Sequence, residues 1–195
     1  MKVQAKFVTS AVAPEGFPPE GAPELAVVGR SNVGKSSLIN AMLGTDLART
    51  SRTPGRTRLL NWFDVASKPP MRLVDLPGYG YAEVTKQMRE SWRPLIESYL
   101  TSRTSLAGVV LLIDTRRGAQ DEELDFAAWL HERETPLVVA LTKCDKLAKN
   151  KRMLEVQRAK QALGLTRPPL AVSALTGDGI DELWRMSLAI IAPRK

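Results

Sequence analysis

At 195 residues, with 44% hydrophobic and 25% charged content, the chain suits one soluble globular domain and excludes two full-sized ones. One cysteine, Cys144, excludes an internal disulfide and fits a reducing, cytoplasmic setting. No run approaches the roughly 18 apolar residues of a membrane span, residues 7–13 are too short and polar for a signal-peptide core, and the net charge of +7 points to an anionic partner, RNA first.

In chain order, residues 13–23 are rich in Pro, Gly and Glu and read as an irregular lead-in. We therefore expect a lead-in over 1–23 and one domain over 24–195. A bare apolar strand at 25–28 runs into a glycine turn and a helix over Lys35–Leu43. Residues 59–65 and 71–74 read as two strands joined by the turn 67–70. Residues 84–100 read as a helix that Pro94 should kink or start. A strand at 109–113, a helix at 121–131 and a strand at 137–141 follow. Then come a helix at 151–163, a short strand at 170–172 and a helix from about Asp178. That last helix buries Ile180, Leu183, Trp184, Leu188 and Ile191. In the helix at 121–131, Leu124, Ala127, Ala128 and Leu130 share one side. Six strands alternating with helices predict an α/β fold: a mostly parallel sheet with helices on both faces and ligands at the strands' carboxyl ends.

Gly29-Arg30-Ser31-Asn32-Val33-Gly34-Lys35-Ser36 fits G-x-x-x-x-G-K-[ST] between a strand and a helix, the context of a phosphate-binding loop. The two glycines let backbone N–H groups turn toward phosphate oxygens, and the helix N-terminus adds its dipole. Lys35 supplies a cation to the β- and γ-phosphates, and the Ser36 hydroxyl is placed for Mg²⁺. Asp75-Leu76-Pro77-Gly78 follows a strand; its Asp can hold a metal shell through water, and Gly78 can offer an N–H to the γ-phosphate. Thr142-Lys143-Cys144-Asp145 follows another strand. The Asp145 carboxylate can accept two hydrogen bonds from guanine, a pair that adenine lacks. Lys143 can lie over the base, and Val172-Ser173-Ala174 can offer an N–H to the guanine O6. Between the first two motifs, Thr50, Thr53 and Thr57 each have the chemistry to complete the Mg²⁺ shell in a mobile loop.

Four segments together resemble the bacterial ribosome-biogenesis GTPases called EngB, YihA or YsxC, a branch of the TrmE-Era-EngA-EngB-Septin-like GTPases. They are Gly29 through Ser37, Thr53-Pro54-Gly55-Arg56-Thr57, Asp75-Leu76-Pro77-Gly78-Tyr79-Gly80-Tyr81-Ala82, and Thr142-Lys143-Cys144-Asp145. The resemblance spans nearly the whole chain, and the Asp75–Ala82 run is its most specific part. It implies a single Ras-like P-loop GTPase domain that binds GTP or GDP with Mg²⁺. It makes Thr57 the metal threonine, with Ser36. It places Ser37, Gly55, Arg56, Arg58 and Leu59 in the nucleotide site, and gives Lys35, Thr57 and Gly78 the catalytic part. It also implies a monomer acting on the large ribosomal subunit precursor and its RNA, and a requirement in cell division and septation. The alternative partner is a division-site protein rather than RNA.

Two positions depart from the general GTPase pattern. Thr142 stands where Asn is usual, as it often does in this family. Tyr79 stands where many switch GTPases carry a water-orienting Gln, so unaided turnover should be slow. The lone histidine, His131, reads as a surface residue. Asn32 resembles an asparagine that helps related GTPases hold K⁺ beside the phosphates. Arg49, Arg52, Arg56 and Arg58, then Arg116 and Arg117, then Lys146, Lys149, Lys151 and Arg152, form basic clusters on the nucleotide side, suited to ribosomal RNA.

Overall fold

A computed structural model describes residues 3–48, 59–79 and 86–192. The central strand β2 (Glu24–Gly29) is buried along its whole length. A strand covered on both faces needs a continuous apolar run, and Leu25 through Val28 supply it. Strands β4 (Met71–Asp75) and β5 (Leu106–Asp114) flank it in parallel, and β6 (Leu137–Thr142) and β7 (Leu170–Ala171) continue the parallel side. On the other side β3 (Leu60–Val65) pairs antiparallel with β4, and β1 (Ala5–Ala11) pairs antiparallel with β3. The order is β1-β3-β4-β2-β5-β6-β7.

The sheet therefore has seven strands, not the six expected from the sequence. The additional strand is β1, whose half-buried residues lack clean alternation and whose register shifts between Phe7 and Thr9. A bulge and an exposed Lys6 suit an edge strand, since both discourage further pairing. Residues beyond it pass through a short 3₁₀ turn (Pro14–Gly16) and then cover the core. Phe17 lies 5.3 Å from Trp62 and 5.8 Å from Tyr99, ring centroid to ring centroid.

Helices α1 (Lys35–Leu43) and α5 (Ile180–Ile191) pack on one face. Helices α2 (Lys86–Ser102), α3 (Asp121–Glu132) and α4 (Lys149–Ala162) pack on the other. Pro94 does not start α2, which runs through it. α5 buries Ile180, Leu183, Trp184 and Ile191 as expected, but Ser187 is buried where Leu188 is only half-buried. The Trp184 indole donates to the Met42 carbonyl at 2.8 Å, tying α5 to α1. In α3, Ala127 and Leu130 are buried, Leu124 is half-buried and Ala128 is exposed. The buried place on that side goes to Glu123, which accepts from the Gln120 N–H at 2.9 Å and so caps the helix.

At the amino-terminal end of β2 lies a fully buried carboxylate, Glu24. It accepts hydrogen bonds from the Tyr99 hydroxyl at 2.9 Å, the Trp62 indole at 3.3 Å and the Arg103 guanidinium at 2.7 Å. This network joins β2, β3 and the carboxyl end of α2 at the end of the sheet away from Gly29. At the opposite end, Gly29, Asp75, Asp114 and Thr142 close four adjacent strands, so the loops that follow them share one edge of the sheet.

Candidate functional site

Gly29 ends β2 in contact with β5. A Cβ there would sit 2.8 Å from the Leu112 carbonyl oxygen and 3.0 Å from a Val33 methyl, so no side chain fits. Asn32 (φ 64°) and Gly34 (φ 99°) adopt left-handed conformations on either side of buried Val33, and Gly34 caps the start of α1. The loop thus doubles back onto a helix N-terminus, the geometry that gathers backbone N–H groups around an anion. Asn tolerates the left-handed region, which gives position 32 a local reason for its residue type. Its side chain is exposed.

Lys35, the first residue of α1, pairs with Asp75 at the end of β4, and both are buried. Such a pair offers a cation for a phosphate oxygen and a carboxylate for the hydration shell of a metal. The Ser36 hydroxyl follows on the same helix turn. This all-oxygen donor set fits Mg²⁺, which keeps several waters and binds few protein ligands. Among the described residues no cluster of three His, Cys, Asp or Glu side chains could hold an ion outright, so an ion here would draw its other ligands from phosphate oxygens, water and residues outside the described ones.

The segment after Asp75 is fastened to the phosphate loop. The Leu76 N–H donates to the Val27 carbonyl at 3.0 Å, and the Ser31 N–H donates to the Tyr79 carbonyl at 2.8 Å. Leu76 and Pro77 are buried. At Gly78 an added Cβ would lie 3.2 Å from Ser31 backbone atoms, so a side chain would push the two loops apart. The Tyr79 side chain is buried against α3; its hydroxyl donates to Glu123 at 3.4 Å and its ring lies 6.3 Å from Phe126. Burial first, then the Glu123 charge, raises the phenol above its ordinary pKa, so it stays neutral. Tyr79 is thus directed into the protein rather than toward an attacking water. A second tie runs from Arg30 to Glu122 at 2.6 Å. Neither α3 partner was marked by the sequence reading, because an acidic helix start looks like ordinary capping.

The fourth motif is bound to the first. The Thr142 hydroxyl donates to the Val33 carbonyl at 2.6 Å. A short side chain suffices here because the end of β6 abuts the loop directly. Lys143 is also left-handed (φ 58°), and its ammonium donates to the Asn32 carbonyl at 2.5 Å and to Asp114 at 3.0 Å. Its stem passes over Gly34, where an added Cβ would lie 3.6 Å from its Cε. Asp114 also holds Arg116, at 2.6 Å. Buried Cys144 donates its N–H to the Val172 carbonyl at 3.1 Å. Asp145 accepts from the Ser173 hydroxyl at 2.7 Å and faces the Lys146 ammonium at 3.3 Å. The Ser173 hydrogen bond, aided by Lys146, lowers its pKa, so it stands as a charged acceptor. A groove of about 580 Å³ is bounded by Gly34, Ser37, Thr142, Lys143, Asp145 and Ala174. It is roomy enough for a planar base whose donor edge meets Asp145.

Gly55, Arg56, Thr57 and Arg58 lie outside the described residues, as do Thr50, Thr53, Arg49, Arg52 and the Gly80-Tyr81-Ala82 run. Leu59 stands half-buried ahead of β3 and is not among the residues that bound this groove. His131 is exposed on α3.

Comparison with known proteins joins these observations. The family model described as 50S ribosome-binding GTPase matches residues 24–143. The chain is 46% identical over 190 residues to the probable GTP-binding protein EngB of Geobacter sulfurreducens, covering 96% of this chain and 91% of that one. It is 45% identical over 199 residues to the protein of the same name from Anaeromyxobacter sp. (strain K), covering 97% and 92%. Among solved structures, a probable GTP-binding protein engB superposes with a TM-score of 0.72 at 24% identity, covering 88% of this chain and all of that one. Era in complex with MgGDPNP and nucleotides 1506–1542 of 16S ribosomal RNA superposes with a TM-score of 0.74 at 24% identity, covering 89% and 58%. The two superpositions support the Ras-like P-loop fold, and the sequence identities go further: the chain belongs to the EngB family of GTP-binding proteins, with a GTPase domain at its centre.

Proposed function

We propose that this protein is a Mg²⁺-dependent GTPase switch that acts in assembly of the large ribosomal subunit. The observation that supports this most is the linkage of three motifs around one strand edge: Thr142 to Val33, Lys35 to Asp75, and Ser31 to Tyr79. In this reading residues 24–195 form the nucleotide-binding body. Gly29 through Ser37 cradle the phosphates, Asp145 reads guanine, Lys143 lies over the base and Ala174 meets its O6. Ser36 and Thr57 ligate Mg²⁺ with Asp75 behind them. Gly55, Arg56, Arg58 and Leu59 border the nucleotide, and Leu76, Pro77 and Gly78 approach its γ-phosphate. The protein works in the cytoplasm as a monomer. It docks on the subunit precursor in its GTP form and leaves after hydrolysis; a part in cell division and septation is what the family resemblance implies. Release of phosphate from GTP, but not ATP, by the purified chain with Mg²⁺ tests the activity, and equal release from both would reject the base assignment.

The metal assignment separates the two nucleotides. Ser36→Ala should weaken Mg²⁺-dependent binding of GDP and GTP alike, by roughly tenfold or more. Thr57→Ala should spare GDP and weaken only the GTP analogue, because a switch threonine reaches the metal when the γ-phosphate is present. Titration of both nucleotides at fixed Mg²⁺ checks this, and equal losses for Thr57→Ala would move the metal threonine elsewhere.

With Tyr79 held by α3, no side chain at that position orients water, so intrinsic turnover is slow. A K⁺ ion ligated by the Asn32 side chain can supply the positive charge that the transition state needs. Hydrolysis should then run faster in KCl than in NaCl at equal ionic strength. Asn32→Gly, which keeps the left-handed backbone, should erase the difference while sparing GDP binding. Identical single-turnover rates in both salts would remove the ion from the mechanism.

A further inference from the structure

Charge is unevenly divided between two neighbouring helices on one face of the sheet. Residues 121–134, which include α3, carry six acidic side chains against one arginine. Residues 146–167, which include α4, carry seven basic side chains against one acid, Glu155. α3 packs on β5 and β6 and α4 on β7, so an acidic ridge runs beside a basic one.

The basic helix has an internal order. Its inner line is buried Ala159 with half-buried Val156 against the core. At about 100° per residue, Lys149 and Lys160 fall within about 20° of each other on one margin of the outer surface. Lys151 and Arg158 fall within about 20° of each other on the opposite margin. Two rows of cations thus run along the helix, roughly 10–12 Å apart across its width. Between them nothing is charged. Asn150, Gln157 and Gln161 are exposed there, with Met153 at 63% and Leu154 at 49% exposure. Arg158 shares its charge with Glu155 at 2.7 Å; Lys149, Lys151 and Lys160 have no such ion pair among the described residues.

We infer that the outer face of α4 is an RNA-docking surface, on which the two cation rows straddle a groove of folded RNA and bind a phosphate strand on either side. Neutral amides between the rows suit sugar hydroxyls and base edges, and the Met153–Leu154 pair suits the face of an unstacked base. The acidic α3 ridge repels the same polyanion and so sets the angle at which it can approach. This inference rests on the ribosomal reading above and names the surface that serves it.

The test is equilibrium binding of the full chain, with a non-hydrolysable GTP analogue, to deproteinised large-subunit ribosomal RNA across a salt series. Lys149→Ala/Lys151→Ala/Lys160→Ala should weaken binding about tenfold or more. It should also flatten the log–log salt dependence by about two to three, since each phosphate contact contributes about 0.7–0.9 to the slope. Asp125→Asn/Glu132→Gln should tighten binding a few-fold. GDP affinity, unchanged in both variants, reports that they fold. A wild-type salt slope in the triple variant would overturn the α4 assignment while leaving the ribosomal reading intact. Loss of binding to whole subunits but not to naked RNA would overturn it in favour of a ribosomal protein. Failure of the wild-type chain to bind either would overturn the ribosomal reading itself.

Discussion

Asp145→Asn should reverse the base preference of this protein. The carboxylate is held charged by Ser173 and bounds the groove beside Lys143. Guanine presents two donors to it, and hydrogen bonds to a charged group are worth about 1.5–3 kcal/mol each. An asparagine keeps the shape and can still meet the Ser173 hydroxyl, but it puts a donor where guanine also donates. GTP and GDP should weaken by about a hundredfold or more. Xanthosine triphosphate should gain, since its 2-oxo group accepts from the new amide. Competition of both nucleotides against a fluorescent GDP measures the exchange. A variant that still prefers GTP would place the base elsewhere.

The second large effect lies at the other end of the sheet. Glu24→Ala removes the carboxylate that pairs with Arg103, whose side chain is 6% exposed, and leaves the Trp62 indole and Tyr99 hydroxyl without their acceptor. Breaking a buried ion pair by deleting one partner costs about 3–5 kcal/mol, a large share of the about 5–15 kcal/mol that holds a typical domain. At about 2–4 °C per kcal/mol for a chain of this size, the melting temperature should fall by roughly 10 °C. Tyr99→Phe, which removes one hydrogen bond, should cost about 1 kcal/mol. Thermal unfolding followed by circular dichroism ranks the two. A loss below about 1 kcal/mol for Glu24→Ala would mean that the network contributes little to stability.

The contrast between these two sites explains what could be read from residues alone. Gly29 through Ser36 and Asp145 are placed by backbone turns and strand-end positions, which depend on short stretches of chain, so their types and spacing were legible. Glu24 was not: a glutamate after a Pro-rich stretch looks like solvated lead-in, and its partners lie 38, 75 and 79 residues away. β1 escaped for a related reason. An edge strand with a bulge buries too little to impose alternation, and its identity comes from pairing with β3. Thr142 was legible as a departure from the usual asparagine, but its reach to Val33 depends on how closely β6 meets the phosphate loop. Tyr79 was legible as a missing glutamine; that its ring turns into α3 depends on Glu123, buried 44 residues away. In each case the unread part is a long-range contact whose local sequence carries no period or motif.

In the function proposed above, the bound nucleotide controls docking on the large ribosomal subunit. Co-sedimentation of the protein with purified large subunits, in a non-hydrolysable GTP analogue and in GDP at the same Mg²⁺ and salt, tests it most directly. Pelleting with the analogue and release in GDP is the predicted result; equal pelleting in both states, or none in either, would contradict it.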